Sequence, residues 1–164
     1  DKAKWFNHQY LQQRTNKQLA MEYREILRTK GYHHDIVEIE ELVGLVKERV
    51  DFVRDLWDET YFFFSVPEYY DPEVVKKRWK PETRGQMKEL KTILADIDPF
   101  TTENSEEVVK NWIESKGYNT GAVMNIFRLL IVGASRGPHI FNIISWIGKE
   151  ETLKRIDLGL SKIA

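Results

Sequence analysis

The chain has 164 residues, of which 41% are hydrophobic and 31% are charged, a composition that excludes disordered and fibrous classes. The formal net charge of −1 excludes the overall cationic field of a histone-type nucleic-acid binder, so any contact with nucleic acid has to come from a local basic patch. Because the sequence has no cysteine, it excludes disulfide frameworks and cysteine-ligated zinc, and it favours a reducing compartment, the cytoplasm.

No apolar segment has the length of about 20 residues that a membrane span requires. The longest apolar run, IFRLLIVGA, is interrupted by Arg128. The first residues, DKAKWFNHQYL, show no targeting pattern and read as part of a helix, which suggests a piece of a longer protein. Because no apolar run is long enough to span a bilayer, we expect no membrane contact.

Helical periodicity runs through the whole chain and predicts an all-α fold of about eight helices. The first two helices are predicted at 5–14 and 17–29, the second ending at Lys30-Gly31 in the pattern of a helix C-terminus. A long third helix is predicted in IVEIEELVGLVKERVDFVRDLW, because apolar residues recur there at 3.6-residue spacing from Ile39 to Trp57.

The aromatic stretch YFFFSVPEYYDPEVV contains two prolines and interrupts the helical pattern. It predicts a junction near residue 74 between two helical subdomains, 1–74 and 75–164. Further helices are predicted in the second subdomain, at 82–95, 104–116, 120–132, 138–147 and 149–162.

The segment GASRGPHIFNII places a turn bounded by Gly133 and Gly137 before a helix expected to begin at Pro138. It does not match the Walker A phosphate-binding loop, which needs four residues between its glycines and a lysine after the second. Two interpretations remain open. The segment is either a structural corner between two helices, or a site where Arg136 and first-turn backbone N–H groups hold a phosphate or a base edge.

Polar residues of the helix predicted at 120–132 lead toward this turn. Asn125, Arg128 and Arg136 fall on one stripe beside the apolar face, and their side chains suit the edges of bases, although such residues usually face solvent. Basic residues also outnumber acidic ones from residue 108 onward, which predicts a locally basic surface. The basic residues are Lys110, Lys116, Arg128, Arg136, Lys149, Lys154, Arg155 and Lys162.

Arg49 is a second unusual cation, because in the predicted long helix it interrupts an apolar row. The row consists of Leu42, Leu45, Phe52 and Leu56. Such an arginine either reaches solvent or pairs with a nearby carboxylate, or it presents a packed guanidinium to a planar acceptor such as a base edge.

No pattern of a catalytic or metal-binding site is found. His33 and His34, followed by Asp35, are adjacent and diverge rather than chelate, and no third ligand has suitable spacing. The sequence has no Ser/His/Asp grouping, nucleophile elbow or HExxH motif. We therefore expect no catalytic residue and no metal.

Four segments carry a resemblance to a known family: KWFNHQYL, LVKERVDFVRDLWDETYFFF, KGYNTGAVMNIFRLLIVGASRGPHIFNII and IGKEETLKRI. They resemble the C-terminal anticodon-binding region of bacterial-type glutamyl-tRNA synthetases, which are class I aminoacyl-tRNA synthetases. The resemblance covers nearly the whole chain. It departs at Ile126, where the family usually has proline, but it retains the arginine that follows as Arg128.

The resemblance implies an all-helical region that recognises the tRNA anticodon and supports ATP-dependent attachment of glutamate to its tRNA. The subdomain 1–74 would be a stem or linker part that reads the third anticodon base through Arg49, and 75–164 would bind the first two bases. The positions implied there are Asn125, Arg128, Gly137, Pro138 and Ile140, with Lys110 contacting the strand.

The same resemblance implies a catalytic domain elsewhere in a longer protein, since neither a HIGH-like nor a KMSKS-like signature occurs. The chain alone is then expected to be an inactive monomer without a cofactor, and ATP and Mg²⁺ would bind only to the catalytic domain. The expected partners are the tRNA for glutamate and that domain in cis. The main alternative is a helical protein–protein interaction module, and a stand-alone enzyme is less favoured.

Overall fold

The computed structural model describes residues 1–163 and is all-helical, as expected. Within these residues there are ten α-helices and three short 3-10 helices, and no strand. The α-helices are α1 (Lys2–Gln13), α2 (Asn16–Thr29), α3 (Ile36–Val46), α4 (Leu56–Thr60), α5 (Pro72–Arg78), α6 (Thr83–Ala95), α7 (Thr102–Lys116), α8 (Thr120–Val132), α9 (Ile140–Ile147) and α10 (Lys149–Lys162). Each falls short of the length and apolar character that a membrane span requires.

The chain divides into two compact units, Asp1–Phe64 and Ser65–Ala164. The division lies earlier than the junction expected near residue 74, so that the proline-containing segment before α5 belongs to the second unit. Residue 164, the last of the second expected subdomain, lies outside the described residues.

The first unit is built around the pairing of α2 with α3. Thr15 begins α2 with a capping box, in which its hydroxyl accepts a hydrogen bond from the Gln18 backbone N–H and the Gln18 side chain accepts one from the Thr15 N–H. The apolar faces of both helices are fully buried against each other. Their core residues are Leu19, Ala20, Tyr23, Leu27, Ile39, Leu42, Val43 and Val46.

The predicted long third helix is wrong beyond Val46. A 3-10 helix, Lys47–Arg49, follows α3, and Val50 and Phe52 are extended before a second 3-10 helix, Val53–Asp55. Contacts with α1 stabilise this break, because Gln12 donates a hydrogen bond to the Lys47 carbonyl (2.9 Å). His8 Nδ1 lies 3.0 Å from the Val50 carbonyl, which can only accept. Side chains distant in sequence thus satisfy carbonyl groups that a continuous helix would pair internally.

The second unit has α8 and α9 at its centre. Every residue of α8 from Leu129 to Val132 is buried, and Ile140, Phe141, Ile143 and Ile144 of α9 are buried as well. α6, α7 and α10 pack around them. Gly159 of α10 lies so close to Leu130 that a Cβ atom there would collide with the leucine side chain, and this close approach brings α10 against α8.

The segment before α5 is joined to the C-terminal end of α8. Gly133 ends α8 with φ of 90°, and its carbonyl accepts a hydrogen bond from the Asp71 N–H at 2.8 Å. A Cβ atom at Gly133 would lie 2.8 Å from the Tyr69 carbonyl oxygen, so only glycine fits this position without displacement. Asp71 then caps α5, accepting from the Glu73 N–H, with Pro72 in the first turn.

Candidate nucleic-acid interface

The turn at residues 134–139 joins α8 to α9. Gly137 has φ of 98°, a left-handed conformation that favours glycine. α9 begins at Ile140 with His139 as its N-cap, which corrects the prediction that the helix begins at Pro138. The Asn142 and Ile143 N–H groups both donate to the His139 carbonyl, so the first helical hydrogen bonds start at His139. Pro138 therefore belongs to the turn.

Arg128 of α8 makes hydrogen bonds that stabilise this turn. Its Nη1 atom donates hydrogen bonds to the carbonyl oxygens of Arg136 and Pro138, both at 2.8 Å. Charge-assisted hydrogen bonds are stronger than neutral ones, so this side chain fixes the path of the backbone across the turn. Arg128 is thus a positioning residue for the turn.

The other predicted residues of α8 and the turn differ in exposure. Asn125 is half-buried and donates a hydrogen bond to the Gly121 carbonyl at 2.7 Å. Pro138 is buried, and the Ile140 side chain is only 2% exposed. Pro138 and Ile140 therefore shape the turn through core packing.

Lys110 is connected to the turn through Glu106. The Glu106 carboxylate lies 2.6 Å from Lys110 Nζ and 3.2 Å from His139 Nε2. The hydrogen bond from Lys110, followed by that from His139, lowers the pKa of Glu106 below its usual value. An exposed charge network therefore links α7 to the turn, and Lys110, Asn125, Arg128, Gly137, Pro138 and Ile140 all belong to this one region.

Arg155 is the buried cation of this unit, although its sequence position suggested a surface charge. Its guanidinium donates to the Ile131 carbonyl at 2.8 Å and to the Glu151 carboxylate at 3.0 Å. Burial lowers the pKa of Arg155, while Glu151 opposes this shift. Arg155 binds a carbonyl in the last turn of α8, so this charge stabilises the fold and is not displayed to a ligand.

Arg49 does not occupy the environment predicted for it. It ends the 3-10 helix Lys47–Arg49 and is exposed, and within residues 1–163 its side chain forms no hydrogen bond or ion pair. The apolar row does not exist, because Phe52 and Leu56 follow the helix break. Arg49 is thus available to a ligand but is not held by packed neighbours.

The break after α3 also forms a cavity of about 350 Å³ in the first unit, lined in part by Tyr10, Arg14, Phe52 and Arg54. The Arg54 guanidinium lies over the Phe52 ring, 4.4 Å from its centroid. Aromatic rings and guanidinium planes are groups on which unpaired bases stack. This cavity could not be predicted from the sequence, because Phe52 and Arg54 lie in the segment expected to be helical.

The histidine pair lies directly before α3. His34 Nδ1 lies 2.6 Å from a Glu38 carboxylate oxygen one helical turn away. Across the part of the chain that the structure describes, no three His, Cys, Asp or Glu side chains are grouped as metal ligands would be.

A family model and the comparisons with known proteins agree on the relatives of this chain. A sequence model of the family described as the anticodon binding domain matches residues 8–160. The chain is 46% identical over 156 residues to the glutamate–tRNA ligase of Phocaeicola vulgatus, an alignment covering 95% of the chain and 31% of the relative. It is 45% identical over 163 residues to the glutamate–tRNA ligase of Flavobacterium johnsoniae, covering 99% and 32%.

A solved structure shares the fold. The crystal structure of a glutamate tRNA ligase from Elizabethkingia meningosepticum, in complex with its amino acid, superposes with a TM-score of 0.95 at 37% sequence identity. The superposition covers 99% of this chain and 32% of that chain, so the chain spans about a third of the length of these relatives. Since the family match runs from residue 8 to residue 160, the chain belongs to the anticodon-binding domain family.

Proposed function

We propose that the chain recognises the anticodon of the tRNA for glutamate, as part of a ligase that attaches glutamate to this tRNA in an ATP-dependent reaction. The observation that carries the proposal is the turn at 134–139, held by Arg128 in a chain of the anticodon-binding family. Anticodon bases are unpaired and splayed out, so a fixed turn with backbone groups and polar side chains can read their edges.

The turn region is proposed to receive the first two anticodon bases. Asn125 and Arg128 lie on one face of α8, and Arg128 keeps the backbone of Gly137 and Pro138 in place. Buried Ile140 anchors the far end of the turn, at the start of α9. Lys110 is 60% exposed at its side chain, and we propose that it contacts a phosphate of the strand in exchange for its pairing with Glu106.

Arg49 is proposed to read the third base. Its guanidinium is exposed and has no partner within the described residues, so the binding of a base edge breaks no existing ion pair. The planar guanidinium donates in a fixed fork and distinguishes base edges by their acceptors.

Activation of glutamate belongs, in this proposal, to a catalytic domain in cis. ATP and Mg²⁺ bind to that domain, and this chain supplies only tRNA binding, as a monomer in the cytoplasm. The proposal thus expects the chain alone to be inactive in aminoacylation.

The test is a binding measurement with a labelled hairpin that carries the anticodon arm of the tRNA for glutamate. A second hairpin has the same stem and a changed anticodon. We expect tighter binding of the first hairpin, with affinity that falls as salt rises, at about 0.7 logarithmic units per phosphate contact on single-stranded RNA. Equal binding of the two hairpins would contradict the proposal.

The alternative function, a helical protein-interaction module, has one observation in its favour. The sign expected for such a module is an exposed aromatic side chain at Trp112 or Trp146, but Trp112 is only 8% exposed and Trp146 is half-buried. Three exposed aromatics lie instead on α1: Trp5, Phe6 and Tyr10. A protein partner bound through α1, with an affinity that is insensitive to salt, would favour this alternative.

A further inference from the structure

The strongest unassigned feature of the second unit is a cluster of cations at the end of α5. The sequence KKRWK at 76–80 has four basic residues in five positions, in a chain whose net charge is −1. We call Lys76, Lys77, Arg78 and Lys80 the α5 basic segment. Its three lysines are exposed, and Arg78 is half-buried.

The cations of this segment are not neutralised within the fold. None of the four side chains forms an ion pair or hydrogen bond within residues 1–163. Other lysines of the same unit do have acidic partners. These pairs are Lys91 with Asp157, Lys110 with Glu106 and Lys116 with Glu89.

Stabilisation of the helix end does not account for this concentration of charge. A cation in the last turn interacts favourably with the helix dipole, and α2, α7 and α10 each have one basic residue there. In the part of the chain that the structure describes, α5 alone has three. Like charges so close together repel one another, so their accumulation points to an anionic ligand.

The position of α5 connects the segment to the candidate anticodon turn. The Asp71 N–H, directly before α5, donates to the Gly133 carbonyl, and the turn at 134–139 follows Gly133. At about 1.5 Å per helical residue, Lys76 lies roughly 8 Å along the helix from this junction. That distance corresponds to two or three nucleotides of a stacked strand, at about 3.4 Å per nucleotide.

We propose that the α5 basic segment binds the phosphate backbone of the RNA whose anticodon lies at the turn. This inference rests on the proposed function and adds a second contact, outside the base-reading residues. Lysines contact phosphates as point charges and give affinity without sequence information. Trp79, between Arg78 and Lys80, is half-buried and adds an aromatic ring on which an unpaired base can stack.

The test compares two double variants with the same change in net charge. K76Q/K77Q removes two cations of the segment, and K88Q/K154Q removes two exposed lysines of α6 and α10 that also have no ion-pair partner within residues 1–163. Glutamine is a good helix former, and circular dichroism verifies the fold of both variants. The affinity for the anticodon-arm hairpin is measured across a series of salt concentrations.

We expect K76Q/K77Q to lose on the order of tenfold in affinity at ~0.1 M salt and to flatten the salt slope by about 1.4, which corresponds to two phosphate contacts. Its preference for the correct anticodon over the changed one should stay unchanged. K88Q/K154Q should match the unmodified chain in affinity and in salt slope. An unchanged slope in K76Q/K77Q, equal losses in both variants, or loss of anticodon preference would each overturn the inference. Failure of the unmodified chain to prefer its anticodon would instead contradict the proposed function.

Discussion

Arg128 and Pro138 are joined by a hydrogen bond of 2.8 Å, from the guanidinium Nη1 to the carbonyl oxygen. The same nitrogen donates to the Arg136 carbonyl, so one side chain of α8 spans the turn that leads to α9. Arg128 thus shapes the surface proposed to receive the anticodon, and its replacement should affect both the turn and RNA binding.

Arg128→Met tests this positioning role, because methionine keeps the apolar stem and removes the donors. We expect a loss of about 1.5 to 3 kcal/mol in the free energy of unfolding, the range for hydrogen bonds to charged groups. Affinity for the anticodon hairpin should fall as well. Arg128→Lys, which keeps the charge, should recover part of the stability. If Arg128→Met leaves denaturant unfolding unchanged, the hydrogen bonds to the turn do not contribute to stability.

Gly133→Ala tests the junction between α8 and the segment before α5. A Cβ atom there would lie 2.8 Å from the Tyr69 carbonyl oxygen. The residue also has φ of 90°, so backbone strain and steric conflict both destabilise the folded state. We expect a loss of about 2 to 4 kcal/mol. Gly117→Ala is the matched control, since φ is 67° and nothing lies within 4 Å of the added atom. It should cost about 1 kcal/mol. Equal losses would show that the junction is not tightly packed.

Arg155→Met removes the buried cation beneath the end of α8. The Ile131 carbonyl loses its donor, and Glu151 loses its partner. We expect a destabilisation of about 2 to 4 kcal/mol, measured by denaturant unfolding. Lys154→Met, at the exposed neighbouring position, should change stability by less than about 0.5 kcal/mol. A similar small effect at both positions would contradict a structural role for Arg155.

Glu89 connects α6 to the end of α7 and should make stability depend on pH in acid. The hydrogen bond from Tyr118, followed by that from Lys116, lowers the pKa of Glu89 below its usual 4.5. A lowered pKa in the folded state stabilises the protein above pH 4.5, and this contribution is lost as the pH falls through the folded-state pKa. The effect should stay below about 1 kcal/mol, because the Glu89 side chain is 36% exposed.

The measurement for Glu89 is the difference in thermal midpoint between pH 7 and pH 3. Glu89→Gln should show a smaller decrease than the unmodified chain, because glutamine still accepts from Tyr118 but does not titrate. Glu25→Gln, at a residue that is 63% exposed in its side chain, serves as the control. An identical decrease in all three proteins would contradict the assignment.

Most helices could be predicted from local signals. The capping box at Thr15, the left-handed Gly117 after α7 and Gly133 after α8 all mark boundaries that the sequence shows directly. The predicted helices do not include α5, although Asp71 and Pro72 form a helix start, because the surrounding aromatic and proline residues indicate only a junction. The Asp-Pro pair is the local signal for this helix start.

The break after Val46 could not be predicted from local sequence. The segment has the periodicity of a helix, but α1 supplies partners for its carbonyl groups through Gln12 and His8, residues far away in sequence. For Arg128, the sequence likewise predicts only a position on one face of α8. Its contacts with the turn carbonyls depend on the path of the backbone after Gly133, which the residue pattern alone does not determine.

Arg49→Gln tests the assignment of the third anticodon base. Arg49 is exposed at the end of a 3-10 helix, so its replacement should not affect stability. We expect the preference for C over G at the third anticodon position to narrow, in binding assays with two tRNA transcripts that differ only there. A change of about 1 to 3 kcal/mol in discrimination fits the loss of a base-edge contact. Arg28→Gln, at another exposed arginine of the first unit, should leave the preference intact.

The most direct test of anticodon recognition by the turn is an NMR titration of the isotopically labelled chain with the anticodon-arm hairpin. We expect the backbone amides of residues 134–137 and His139, together with the side-chain amide of Asn125, to shift on addition of this hairpin. They should shift much less with a hairpin of the same stem and a changed anticodon. If the two hairpins produce the same shifts, or if the amides of 134–137 and His139 do not respond while others do, the turn does not read the anticodon.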